Sequence, residues 1–362
     1  MEIKMLAQKL IQFESTHERP DEIQACLDFC KSYFEGLPVF IKEYISEGIP
    51  SMVIHTKDTL DVDVLLLGHI DTIPGPKNLF EGKIQEGRLY GRGSLDMKAF
   101  VATSLQVVKE LLVLGYKGNI AVAIVSDEEL GGKNGANYLV NTIGYTAKVV
   151  LIPDDGERIE NIVTETKHIL HLDFFSKGKE AHGCQPWFGE NAILALLSTY
   201  KNLEKHFQDC IEAEDEQWVN TINLGTIEGG VATNEVPAEA KMSVDIRFTK
   251  DTTKEEMLEC IKNACAKNVE FSIRMEGFPT ILKENNSLLL SYAKSVETEI
   301  GKKIQCIKSG GGTDGRYFAE RGMKVIVHQG GGGNCQAEDE YVEVDELIQL
   351  VNIQKRFIQE NF

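Results

Sequence analysis

Five imidazole and carboxylate side chains in the first half of the chain could share a cation. They are His69 and Asp71 in GHIDT, Asp96 in GRGSLDMK, Glu129 in SDEELGG and Asp154 in LIPDDGE, with Glu128 directly beside Glu129. Imidazole is a zinc ligand, and Asp71 can hold its second nitrogen. Two adjacent carboxylates at a strand end are costly unless a cation or a raised pKa relieves them. Successive residues point in different directions, so one can ligate while its neighbour serves as general base. Each motif alone also has a structural reading. His-x-Asp can simply cap a strand, Asp96 can cap a helix, and Asp155 and Glu157 compete with Asp154. Four such groups delivered to the edge of one sheet point to a cation site.

The elements that must deliver them are legible as apolar runs. VDVLLLG and NIAVAIVSD are continuous, as expected of strands covered on both faces, and KVVLIPD is a third strand ending at Asp154. Apolar spacing of three and four predicts helices over 2–13, 20–35 and 97–114. The fold class is therefore α/β, a mixed and mostly parallel sheet flanked by helices. Near residue 165 the pattern changes to strand–helix–strand–strand–helix–strand, the order of a split βαβ sandwich. Residues 1–164 plus 278–362 then make one domain, which carries the candidate cation site, and 165–277 a small α+β domain inserted into it.

A chain of 362 residues carrying 38 basic and 56 acidic side chains, net charge -18, excludes nucleic acid and anionic membranes as natural partners. No stretch approaches the roughly 20 apolar residues that span a bilayer. The eight cysteines are scattered without zinc-knuckle spacing, and MEIKMLAQKLIQFEST has no signal-like apolar run. The expectation is a cytoplasmic protein with reduced thiols.

GHIDTIPG, LYGRGSLDMK, SDEELGG, KGKEAHGCQPWFGENAI, EGGVATNEVPAEAKMSVDIRF and SGGGTDGRYFAERG together resemble the co-catalytic zinc exopeptidases and deacylases. That group includes acetylornithine deacetylase, succinyl-diaminopimelate desuccinylase, aminoacylase and several small peptidases. The resemblance implies that His69 and Asp154 bind one metal, that Asp96 bridges two, and that Glu129 binds the second. It makes Glu128 the general base and Asp71 the group orienting His69. Two adjacent ions can generate hydroxide and polarise the scissile carbonyl. By the same resemblance His182 helps hold the tetrahedral oxyanion, from the partner subunit of a homodimer formed through the inserted domain, and Asn234 and Arg247 bind substrate. Arg247, always charged and forked, suits a substrate carboxylate, although an ion pair along its own strand is an equal reading. Thr313 and Arg316 lie in a glycine-rich turn whose N–H groups could face a carboxylate.

The chain departs from that pattern at one place. In GGGGNCQAEDEYVEV, Glu340 occupies the position of the family's late glutamate, which puts Gln336 where the second metal's histidine belongs. A glutamine oxygen is a weaker zinc ligand than imidazole. Three consequences stand open: a weak second site taking manganese or cobalt, an enzyme working with one zinc ion, or a catalytically impaired metal- or peptide-binding homologue. Retention of Glu128, Glu129, Asp96, Asp154 and His182 favours hydrolysis. The expected substrate is a small molecule or dipeptide bearing a carboxylate, with an N-acyl amino acid deacylase leading and a dipeptidase or aminopeptidase as the alternative.

Overall fold

The computed structural model describes residues 2–212 and 218–362. They form two compact units, one of residues up to Glu165 together with Thr280–Phe362, the other Thr166–Pro279.

The larger unit is built on an eight-stranded sheet. Its centre is parallel: Asp61–His69 lies between Ile120–Val125 and Thr146–Ile152, and Lys324–Val327 continues beyond the latter. Antiparallel partners flank this centre, Ile49–His55 on one side and Asn161–Thr166 on the other. The sheet is thus mixed, with its parallel part confined to four strands. Alternation along Asp61–His69 explains the unbroken apolar run. Val64 and Leu66 pack under the helices Ile3–Ile11, Lys98–Val113 and Val344–Asn361 on one face. Val62, Leu65 and Leu67 pack with Leu139 and Phe318 on the other. From Val64 to Leu67 both faces are dry and every position is apolar, and the next polar side chains, His69 and Asp71, appear where the strand ends. Gly68 allows the helix after Asp96 to come close, since a Cβ there would meet Val101 Cγ2 at 2.9 Å.

A further small sheet joins Lys83–Gln85, Arg88–Tyr90, Tyr341–Glu343 and Gly332–Gly333. No apolar run announces these two- and three-residue strands. They fasten the late glycine-rich segment beside the loop that carries Asp96.

The second unit is a four-stranded antiparallel sheet ordered Thr221–Gly229, Glu239–Phe248, His168–Lys177, Val269–Gly277. Helices Ala192–Glu204 and Lys254–Ala264 share its core through Leu196, Leu203, Met257 and Ile261. The strand–helix order is the one expected from the sequence. No helix among the described residues is long and apolar enough to cross a membrane, and all eight cysteines are unpaired.

Candidate metal centre

Parallel strands present their carboxyl ends on one edge, and that edge collects the chemistry. His69 is the last residue of its strand and Asp154 follows the strand ending at Ile152. Glu128 and Glu129 open a short turn three residues after Val125. Asp96 comes from the glycine-rich loop before the helix Lys98–Val113, with a cis peptide bond to Met97. Its carboxylate is not spent as a helix cap.

His69, Asp96 and Asp154 converge so that one ligand atom of each lies within 4.8 Å of the others. His69 Nε2 is 3.0 Å from Asp96 Oδ1 and 3.5 Å from Asp154 Oδ1. The opposite ring nitrogen, Nδ1, donates to the Asp71 backbone carbonyl at 3.0 Å and lies 3.4 Å from the Asp71 carboxylate. The ring is therefore oriented from behind, with Nε2 turned toward the carboxylates. Asp155, the competing residue, caps the next turn by accepting from the Gly156 N–H at 2.7 Å, and Glu157 is exposed.

Asp71 does more than face His69. Its two oxygens accept the backbone N–H groups of Glu128 at 3.3 Å and Glu129 at 3.0 Å, and His17 Nε2 lies 3.1 Å away. Buried completely, it still keeps a pKa well below the ordinary carboxylate value. Burial opposes this, and the bonds from His17 and His69 and the backbone N–H of Glu129 outweigh it. Asp71 thus fixes the acidic turn as well as the imidazole. His17 was not foreseen; it sits in the loop segment STHERP with no strand or apolar run to mark it.

The remaining charges are out of balance in a way that fits a divalent cation. Burial opposes charge on His69, yet Asp154, Asp71 and Asp96 together hold its pKa well above the usual imidazole value. Burial pushes Asp154 well up, and it pushes Glu129 up to about 8 with help from Asp96. Glu128 is raised by burial against the pull of His69 and Arg316. Carboxylates driven toward protonation around an imidazole driven toward the cation mark a site short of positive charge. The donor set, one imidazole and two carboxylates, suits a zinc-type ion with an open position.

Two buried supports hold this edge. Glu340, 1% exposed, accepts the Leu95 N–H at 2.8 Å and the Asp96 N–H at 3.2 Å, and pairs with Arg92 Nη1 at 2.8 Å. It clamps the Asp96 loop, a role that nothing in the sequence AEDEY marks. Thr313 and Arg316, expected at a substrate-facing turn, are each only 3% exposed. Thr313 Oγ1 accepts the Gly315 N–H, and Arg316 donates from Nη2 to the Gly131 carbonyl at 2.9 Å. The Arg316 guanidinium also lies 3.6 Å from Glu128 Oε1 and 3.6 Å from Asp314. This places Arg316 behind the general-base candidate. Gly132, at φ +67, leaves room for Asp314, whose Oδ1 would stand 2.0 Å from a Cβ there.

Gln336 is exposed and its Nε2 donates to Asp96 Oδ2 at 3.0 Å and to both Glu129 oxygens at 3.2 Å. His328, the nearest sequence alternative, is buried; its ring contacts the Ile159 carbonyl at 2.7 Å and Tyr292 Oη at 3.0 Å. It does not replace the missing ligand.

In the second unit, His182 is exposed and forms a bridge with Glu235, while the Gly183 N–H donates to the Asn234 carbonyl at 2.7 Å. His182 and Asn234 are thereby neighbours. Arg247 is half-buried on the strand Glu239–Phe248 and donates to Asp245 at 2.8 Å.

Comparison with known proteins agrees with this architecture. The profile of Peptidase family M20/M25/M40 matches residues 65–360. An uncharacterized metallohydrolase of Methanocaldococcus jannaschii is 27% identical over 343 residues, 84% of this chain and 82% of that protein. A succinyl-diaminopimelate desuccinylase of Pseudoalteromonas translucida is 26% identical, covering 98% of this chain and 97% of its own length. In fold the chain is similar to an M20 family metallo-carboxypeptidase from Sulfolobus solfataricus, at TM-score 0.83 and 17% identity over 99% of both chains. It is also similar to aminopeptidase PepT from Bacillus cereus, at TM-score 0.79 and 19% identity over 99% of this chain and 97% of that one.

Proposed function

The chain belongs to peptidase family M20/M25/M40, a family of metallohydrolases, and from that premise we propose that it is a deacylase cleaving the amide bond of a small N-acyl amino acid. The observation that carries this reading is the pairing of a cation triad, His69–Asp96–Asp154, with a separate carboxylate, Glu128, half-buried and 3.6 Å from the Arg316 guanidinium. A zinc-type ion held by the triad would polarise the scissile carbonyl and acidify water. Glu128 takes the proton from the attacking water as oxygen adds to the carbonyl carbon. It then returns that proton to the amide nitrogen as the C–N bond breaks, leaving a carboxylate and a free amine. Glu128 is not one of the three ligand residues, so its carboxylate is left to take up that proton and return it.

Arg316 is read here as positioning Glu128 through its 3.6 Å contact, in place of the substrate role expected for it. Thr313 shapes the same turn. His182 and Asn234 are assigned to the oxyanion and the substrate, and Arg247 to a substrate carboxylate. The protein is proposed to act as a cytoplasmic homodimer through its second unit. The desuccinylase relatives support acyl over peptidyl substrates.

Purified protein reconstituted with zinc, manganese or cobalt is assayed on N-acetyl and N-succinyl amino acids and on dipeptides. Acyl substrates should be cleaved, chelator should stop the reaction, and Glu128→Ala should lower the rate by roughly 10²–10⁴-fold with bound metal unchanged. Hydrolysis indifferent to Glu128 overturns the mechanism, and cleavage of dipeptides alone overturns the deacylase assignment.

A further inference from the structure

We propose that Gln336 occupies the place of a second cation, its carboxamide bridging Asp96 and Glu129, so that this enzyme works with one divalent ion held by His69, Asp96 and Asp154. The inference deepens the hydrolase reading and depends on it only for identifying the working site.

The donor chemistry is the first ground. A second ion would need Asp96 Oδ2 and the Glu129 carboxylate, and those are the three oxygens lying 3.0, 3.2 and 3.2 Å from Gln336 Nε2. An amide nitrogen brings two N–H donors and no free lone pair, so it satisfies carboxylates and cannot ligate a metal. With both carboxylates ionised, as metal ligands would be, turning the amide over would set its oxygen against the same three acceptors, so the hydrogen-bond network assigns the nitrogen inward. A zinc ion sits about 2.0–2.2 Å from its carboxylate oxygens. It would have to stand where the NH2 group stands, and the two exclude each other.

The second ground is that Gln336 is fixed. Its φ is +59° and that of Asn334 is +57°, both in the left-handed region that non-glycine residues seldom adopt. The turn is closed by the Ala337 N–H to the Asn334 carbonyl at 2.9 Å and by Asn334 Nδ2 to Asp339 at 2.7 Å. The side chain is presented to the two carboxylates by its backbone.

The third ground is the lack of a replacement. The larger unit has only four histidines, 17, 55, 69 and 328. His17 is committed to Asp71, His55 to Tyr145, and His328 to Tyr292 and the Ile159 carbonyl. Cys335 remains, its Sγ 3.7 Å from Asp96 Oδ2, and the experiment must include it.

Full-length wild type, Gln336→His and Cys335→Ser are loaded with excess Zn2+ or Co2+, desalted, and analysed by elemental mass spectrometry, titration calorimetry and Co2+ electron paramagnetic resonance. The expected result is one ion per chain in wild type and in Cys335→Ser, with an uncoupled Co2+ signal, and two coupled ions in Gln336→His. Two ions of similar affinity in wild type overturn the proposal, as does a second ion lost in Cys335→Ser. Should Gln336→His fail to fold, judged by circular dichroism, the wild-type stoichiometry decides alone. One ion without amide cleavage would keep this inference and remove the proposed function. Two ions with cleavage would do the reverse.

Discussion

The two halves of the metal edge are built by opposite means. The inner half, His69 with Asp154 and the near side of Asp96, is buried and held from behind. Asp71 fixes the imidazole, and Glu340 clamps the backbone of the Asp96 loop. The outer half, Glu129 with the far side of Asp96, faces one exposed carboxamide on a surface turn. A buried ligand with its own hydrogen-bonded support has little freedom to lose on binding a cation, so affinity concentrates there. The outer carboxylates already have a neutral partner, and a cation gains less by displacing it. Precision on this edge therefore comes from the residues behind the ligands.

The comparison can be broken at its supports. The largest effect is expected from Glu340→Ala, which leaves Arg92 buried and unpaired and releases Asp96. Removing one partner of a buried ion pair costs about 3–5 kcal/mol, so the denaturant midpoint should fall steeply and metal retention with it. A fall no larger than that of an exposed-pair variant such as Glu43→Ala, itself worth under about 1 kcal/mol, would show that the clamp carries no special weight.

A smaller effect comes from His328, the one late histidine, which the fold keeps in the interior instead of lending to the outer half. Burial lowers its pKa to about 4, from 6.5. Between those values the unfolded chain binds more protons than the native one. Stability therefore rises with pH across the window and is lost as pH falls from about 6.5 toward 4. The contribution is on the order of 3 kcal/mol. Denaturant titrations at pH 4.5 and 7 should show a shallower acid loss in His328→Gln than in wild type. Equal slopes would mean that the imidazole is not held neutral.

The smallest expected change is from Asp71→Asn, which keeps the shape and removes the charge behind His69. Affinity for the bound ion should drop about 10–100-fold, measured by competition with a chelating dye. If Gln336→Ala weakens the same ion as much as Asp71→Asn does, the inner and outer halves are not distinct.

The inner half was readable in the sequence because strand ends are readable. An apolar run such as VDVLLL must stop where the sheet stops, and the next polar residues, His69 and Asp71, fall on the edge by necessity. Asp154 and Glu128–Glu129 followed from the same rule. What could not be read depends on contacts between distant segments. Glu340 looks like one more surface acid in AEDEY, and only the short strand Tyr341–Glu343, paired with Arg88–Tyr90, turns it inward. Arg316 sits in a glycine-rich stretch that reads as an exposed turn, yet the buried helix Gly315–Glu320 carries it inside. His17 has no local signal at all. Similarly, the sequence shows that Gln336 lacks an imidazole. It cannot show that the amide points at two carboxylates.

The Glu340 clamp also sets an order of events during synthesis. Leu95 and Glu340 are 245 residues apart. At about 5–20 residues per second, a ribosome needs roughly 12–50 s to deliver the second after the first. Through that interval the nascent chain carries Asp96 on an unfastened loop, already translated but unable to hold its geometry. The backbone of the Asp96 loop therefore gains this support only when nearly the whole polypeptide has emerged.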